Sequence, residues 1–125
     1  MLGVVTGCAS DMESAPFDYS IGDISTTDRI EVRKAGIQPL ATITDSERVS
    51  AVVAFVSRQK EGWVDIRSGV AGDVVIEFYK GQESLDSVGF GPAGLNDGTY
   101  LKRLSTEDVE QLAALLGVSG WISRP

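Results

Sequence analysis

A chain of 125 residues, 42% hydrophobic and 23% charged, is sized for one domain around one core. Its formal charge of -7 comes without a cluster of Lys or Arg, which argues against a phosphate-reading surface and so against nucleic-acid binding. The absence of histidine excludes Ser-His and Cys-His nucleophile pairs and the commonest zinc ligation, and one cysteine excludes an internal disulfide.

That cysteine, Cys8, stands in V-V-T-G-C-A-S, behind small apolar residues and ahead of a polar stretch. From Ala9 to Asp28 the chain is rich in Ser, Thr, Asp, Gly and Pro, with scattered Phe17, Tyr19, Ile21 and Ile24. Residues 1–28 carry five acidic side chains (Asp11, Glu13, Asp18, Asp23, Asp28) and no basic one. Composition predicts an acidic tether over residues 9–28, with a little apolar contact near its end. Deleting Met1 to Ile24 is expected to leave the melting temperature nearly unchanged.

The folded part is expected over residues 29–125. It opens with R-I-E-V-R-K, where Ile30 and Val32 alternate with charges as on a half-exposed strand, and Gly36 and Pro39 break the run. Leu40 to Ile43 lead into T-D-S-E, a capping-box pattern with Thr44 as the cap and Glu47 reaching back to it. The helix that follows places Val49, Val52, Val53 and Val56 on one face, with Gly62 as its terminating glycine. Trp63 to Arg67 alternate as a strand, Gly69 and Gly72 mark a turn, and D-V-V-I-E-F-Y (Asp73 to Tyr79) has the strongest strand composition in the chain.

Lys80 to Glu83 read as a hairpin turn into a strand over Leu85 to Phe90, and Thr99 to Leu104 supply another strand. S-T-E-D then caps a second helix bearing Val109, Leu112, Ala113 and Leu116 and ending at Gly117. Trp121 is expected to fold back as a plug on the core. The order β-α-β-β-β-α, with short connections between strands, predicts an α+β fold: one antiparallel sheet with both helices packed on one face.

Little of this carries chemistry. G-F-G-P-A-G (Gly89 to Gly94) matches the glycine pattern of dinucleotide loops, but L-N-D-G-T-Y follows it where a helix would be required, so no cofactor is expected. Asp97 alone supplies too few oxygens for calcium, and no metal site is read. Asp65 and Glu77, expected on neighbouring strands, are the carboxylates a small cell-wall enzyme could use. Their alternating outward positions favour a solvated face, and no catalytic residue is assigned. The glycine-rich stretch from Gly89 to Gly98 is expected to be a surface loop presenting Phe90, Leu95, Asn96 and Asp97 to a partner. Against this stands the reading in which Phe90 points inward and the glycines only permit tight turning.

Val5-Thr6-Gly7-Cys8 resembles the lipobox of bacterial lipoproteins. The resemblance implies that Cys8 is acylated and becomes the first mature residue, residues 1–8 being the remnant of a signal and the acylation site. A secretory signal needs a basic segment and an apolar core of ~7 to 15 residues. Only Met1 to Gly7 precede the cysteine, so the reading frame is expected to continue upstream. Ala9 after the cysteine implies the outer membrane, facing the periplasm.

The body, with I-T-D-x-x-R-V-x-A-V-V-A-F, a tryptophan after the first helix, E-F-Y, G-F-G-P and L-S-x-E-x-x-x-L-x-x-L-L-G, is similar to small lipoproteins of Gram-negative bacteria. Some of these serve as inhibitors or immunity proteins. The implied function is a lipid-anchored, non-catalytic module that binds an envelope or periplasmic protein and meets the membrane only through Cys8. The alternatives are the carboxylate enzyme and a structural spacer of the envelope.

Overall fold

A computed structural model describes residues 15–34, 39–65 and 73–122. The lipobox-like stretch with Cys8, the break expected at Gly36 and the turn expected at Gly69 and Gly72 lie outside the described residues. The fold is α+β. Strands β1 (Arg29–Arg33) and β2 (Pro39–Ile43) precede helix α1 (Ser46–Ser57). Then come β3 (Trp63–Asp65), β4 (Val74–Lys80), β5 (Glu83–Gly91), β6 (Gly94–Asn96), β7 (Tyr100–Arg103) and helix α2 (Thr106–Leu116). All strands join one antiparallel sheet in the order β2-β1-β4-β5-β6-β7-β3.

The register sorts side chains by face. Ile30 and Val32, Val74, Ile76 and Phe78, Val88 and Phe90, and Leu95 share one face, where they meet Val49, Val52, Phe55 and Val56 of α1 and Val109, Leu112, Ala113 and Leu116 of α2 in a single buried cluster. Removing that much apolar surface from water is the main force holding the sheet to its helices. The Arg48 guanidinium donates to the Leu115 carbonyl at 2.6 Å and ties the two helices together. On the opposite face Arg29, Glu31 and Arg33 of β1 meet Glu77 and Tyr79 of β4, with Arg33 Nε donating to Glu77 at 2.6 Å and the Arg29 guanidinium 4.3 Å from the centre of the Tyr79 ring.

Helix α2 follows its sequence signals. The Ser105 hydroxyl accepts from the Asp108 amide at 3.1 Å, and Gly117 closes the helix at φ +74°, a left-handed conformation that glycine adopts without strain. Helix α1 departs from them. Its cap is Asp45, whose carboxylate accepts from the Arg48 amide at 3.0 Å, one position beyond Thr44. It ends at Arg58 rather than at Gly62. Its buried face includes Phe55 while Val53 is only half-buried, because a wide valine stripe leaves the rotation of the helix undetermined by one position. Asp45→Ala is therefore expected to cost ~1 kcal/mol in a denaturant titration, and Thr44→Ala markedly less.

Several other expectations are corrected. Residues 39–43 form an edge strand rather than a lead-in to the helix. β3 pairs with β7 at the far edge, through Trp63 opposite Lys102, so α1 carries the chain from one edge of the sheet to the other. Asp65 and Glu77 consequently sit on strands separated by β5, β6 and β7, not on neighbours. Trp121, expected as a plug, is 50% exposed on a 3-10 turn (Ser119–Trp121), with the Lys34 ammonium 5.6 Å from its ring. Val118, whose amide bonds to the Ala113 carbonyl, fills that part of the core instead.

Candidate functional site

The stretch from Gly89 to Gly98 is mostly sheet rather than surface loop. G-F-G-P-A-G forms the β5–β6 hairpin, with Gly91 opposite Gly94 and Pro92-Ala93 as a two-residue turn. Gly94 is required there: at φ +133° a Cβ would lie 2.0 Å from the Lys102 carbonyl oxygen. The same pairing sets Phe90 directly opposite Leu95, and both side chains are 0% exposed. Asn96 is also buried, at 7% exposure, and accepts from the Gly98 amide at 3.1 Å. Phe90 and Leu95 are thus core residues and Asn96 a turn former; with their side chains enclosed they offer a partner no surface.

Asp97 is the exception. It leaves the sheet after β6, and its Oδ1 accepts from the amides of Thr99 at 2.9 Å and Tyr100 at 2.8 Å, an Asx-type turn that feeds β7. Its Oδ2 accepts from the Tyr19 hydroxyl, 78 positions away in sequence. That contact joins the body to a segment expected to be a tether. Residues 15–28 are instead packed against the fold. Phe17 and Trp63 exchange two backbone hydrogen bonds, at 2.9 and 3.1 Å, and the Tyr19 amide donates to the Lys60 carbonyl at 2.9 Å. The Gly22 amide donates to the Asp86 carboxylate at 2.6 Å, and Ile24 is 2% exposed.

The cause is a period-2 alternation that sequence composition hid. In F-D-Y-S-I, Phe17, Tyr19 and Ile21 are half-buried against the core while Asp18 and Ser20 are exposed, as in a strand lying on an apolar surface. Tyr19 packs edge-to-face on Trp63 (5.1 Å between centroids) and on Tyr100 (4.8 Å), and Phe17 on Tyr100 (5.0 Å), a geometry that aligns ring edges with the negative faces of their neighbours. Trp63 is in turn fixed by its indole N-H, which donates to the Gln59 carbonyl at 2.7 Å, and Lys102 Nζ donates to the Glu61 carbonyl at 2.7 Å. These bonds tie the connection from α1 to β3 to the body, and residues 17–21 lie along it. Two clefts flank them, one of about 180 Å³ between Ile21 and the C-terminal end of α1, the other of about 420 Å³ beside Lys60 and Glu61. Among the described residues, no group of His, Cys, Asp and Glu side chains is placed to hold a metal ion.

The Tyr19–Asp97 pair is electrostatically shaped. The hydrogen bond to the Asp97 carboxylate, with burial and that negative charge, raises the Tyr19 hydroxyl from 10.0 to about 12. Partial burial opposes the charge on Asp97, but the donors from Tyr19, Tyr100 and Thr99 together outweigh it and hold the carboxyl below its ordinary value. A raised tyrosine favours the packed arm fully below pH 10, and that contribution is lost as pH rises through about 12; a depressed carboxyl favours it at neutral pH and fails as pH falls through its lowered value. The Tyr19 ring resonances in an NMR titration are expected to show a midpoint near 12, falling toward 10 in Asp97→Asn. A wild-type midpoint near 10 would contradict the contact.

No family model matches the chain, and no curated protein and no solved structure gives a significant match to it.

Proposed function

We propose that this chain is a lipid-anchored, non-catalytic binding module of the bacterial envelope, which holds or inhibits a periplasmic protein. The anchor rests on Val5-Thr6-Gly7-Cys8. The binding role rests on one observation above the others: the sheet edge at β3 receives an extended segment through backbone hydrogen bonds and an aromatic floor, the way many modules receive a peptide. The two features lie close along the chain. Among the described residues Phe17 is the first with a backbone bond to the body, and the nine peptide units from Cys8 to Phe17 reach at most about 32 Å when fully extended. An acylated Cys8 would hold the β3 side of the domain within that distance of the bilayer, and several acyl chains at ~0.8 kcal/mol per buried CH₂ make such an anchor firm.

Expressed from its own locus, the protein is expected to incorporate radiolabelled palmitate, to fractionate with the outer membrane and to co-purify from detergent-solubilised envelope with a stoichiometric partner. Labelling that persists in Cys8→Ser, or none at all, would contradict the anchor. A labelled protein that purifies alone would contradict the binding role.

A further inference from the structure

We propose that the groove formed by residues 60–63 and Tyr100 is a docking site for an extended partner segment of the pattern aromatic-x-aromatic-x-aliphatic, and that Phe17 to Ile21 of this chain occupy it as an exchangeable cover. The inference rests on the reading of the domain as a binding module and names the partner class that reading lacks. β3 is a three-residue edge strand whose inner side is paired to β7. Its outward N-H and C=O at Trp63 are satisfied by Phe17, so the edge already accepts one antiparallel residue pair, and Lys60 supplies a further acceptor to Tyr19. Main-chain bonds of this kind bind without regard to sequence, whereas the side-chain seats select. Those seats are the Tyr100 ring for the first aromatic, the Trp63 and Tyr100 rings for the second, and the margin of the core cluster, against which Ile21 packs, for the aliphatic residue. Asp97 adds a preference for a hydroxyl on the second ring, so a tyrosine fits that position better than a phenylalanine.

The cover is held more shallowly than the chain on its C-terminal side. Phe17, Tyr19 and Ile21 are half-buried, while Ile24 is fully seated. Just beyond, the Thr27 amide and hydroxyl both bond to the Ile24 carbonyl, the Asp28 amide donates to the Tyr79 carbonyl, and the Asp28 carboxylate accepts from the Gly81 amide at 3.1 Å. With the Gly22 amide on the Asp86 carboxylate and the Ser25 amide on Asp23, residues 22–28 form a fixed root from which residues 15–21 can lift as a unit. Such partial opening draws on the least-buried contacts of a fold. A tethered cover acts at a local concentration in the millimolar range, so it suppresses weak competitors and yields to a segment that matches the groove better or to an arm drawn away from it.

The test uses the full-length chain and a fluorescein-labelled synthetic peptide copying residues 15–24, followed by fluorescence anisotropy. The peptide is expected to bind Phe17→Ala/Tyr19→Ala at least about tenfold more tightly than wild type, because the cis competitor is removed. A peptide with both aromatics replaced by alanine is expected to bind neither protein. Tyr19→Phe keeps the packing and loses only the hydroxyl contact; it is expected to bind with intermediate affinity, and it carries the test if the double variant does not fold. Equal affinity for wild type and the folded variant, or no binding to either, would overturn the proposal. The readout involves neither lipid nor envelope, so failure here leaves the palmitate experiment standing, and failure there leaves the groove standing.

Discussion

Replacing Val52 by aspartate is expected to abolish the folded state. Val52 is 0% exposed and sits where α1 meets the sheet, so the new carboxylate would be buried without a partner. That costs several kcal/mol even after the group shifts toward its neutral form, against a total stability of about 5 to 15 kcal/mol for a domain of this size. The same substitution at Val53, half-buried on the flank of the helix, leaves the carboxylate a route to solvent and is expected to lower the melting temperature without removing the transition. Circular dichroism melts of the two variants separate these outcomes. If Val52→Asp melts like wild type, the helix faces another way.

Shortening the chain to begin at Ser25 is expected to cost at least about 3 kcal/mol. Ile24, at 2% exposure, contributes ~1.5 to 3 kcal/mol on its own, and the half-buried Phe17, Tyr19 and Ile21 add smaller amounts after the entropy of ordering the arm is subtracted. The truncated protein also leaves the outward backbone groups of Trp63 without the Phe17 partner and the Asp97 carboxylate without its hydroxyl donor. Urea unfolding should show a lower midpoint and, because less surface is exposed on unfolding, a smaller m-value. A tether would have left both unchanged.

These two results mark where local sequence signals suffice and where they do not. Helix α2 was legible from Ser105 to Gly117 because cap, apolar spacing and terminating glycine all lie within one short window and agree. The meander from β4 to β7 was legible in outline through the density of β-branched residues in Val74–Lys80 and the turn that follows it. The short edge strand at Pro39–Ile43 and the three residues of β6 were not, since neither is long enough to establish a period. At the β5–β6 hairpin the glycines that permit close backbone approach also imitate a loop, which is why the sequence leaves Phe90 open between an outward and an inward reading and sets Leu95 outside, whereas both lie inside. The arm is concealed for a related reason: Phe17, Tyr19 and Ile21 do alternate, but Pro16, Gly22 and the scattered acids around them carry the composition of a linker. Of the candidate site, Asp97 could be named from its turn signal; its partner Tyr19 could not, because no local pattern encodes a contact across 78 residues.

Residues 17–21 are bound along the β3 edge rather than hanging from the domain. Native-state hydrogen exchange followed by NMR tests it most directly. The amides of Phe17, Tyr19 and Trp63 donate to Trp63, Lys60 and Phe17 carbonyls, so they are expected to be protected together and to open with one common free energy, lower than that of the α1 core amide at Val56. Asp97→Asn is expected to reduce the protection of all three and to leave Val56 unchanged. Exchange of the Phe17 and Tyr19 amides at the rate of an unstructured peptide, with Trp63 protected independently of them, would contradict the account.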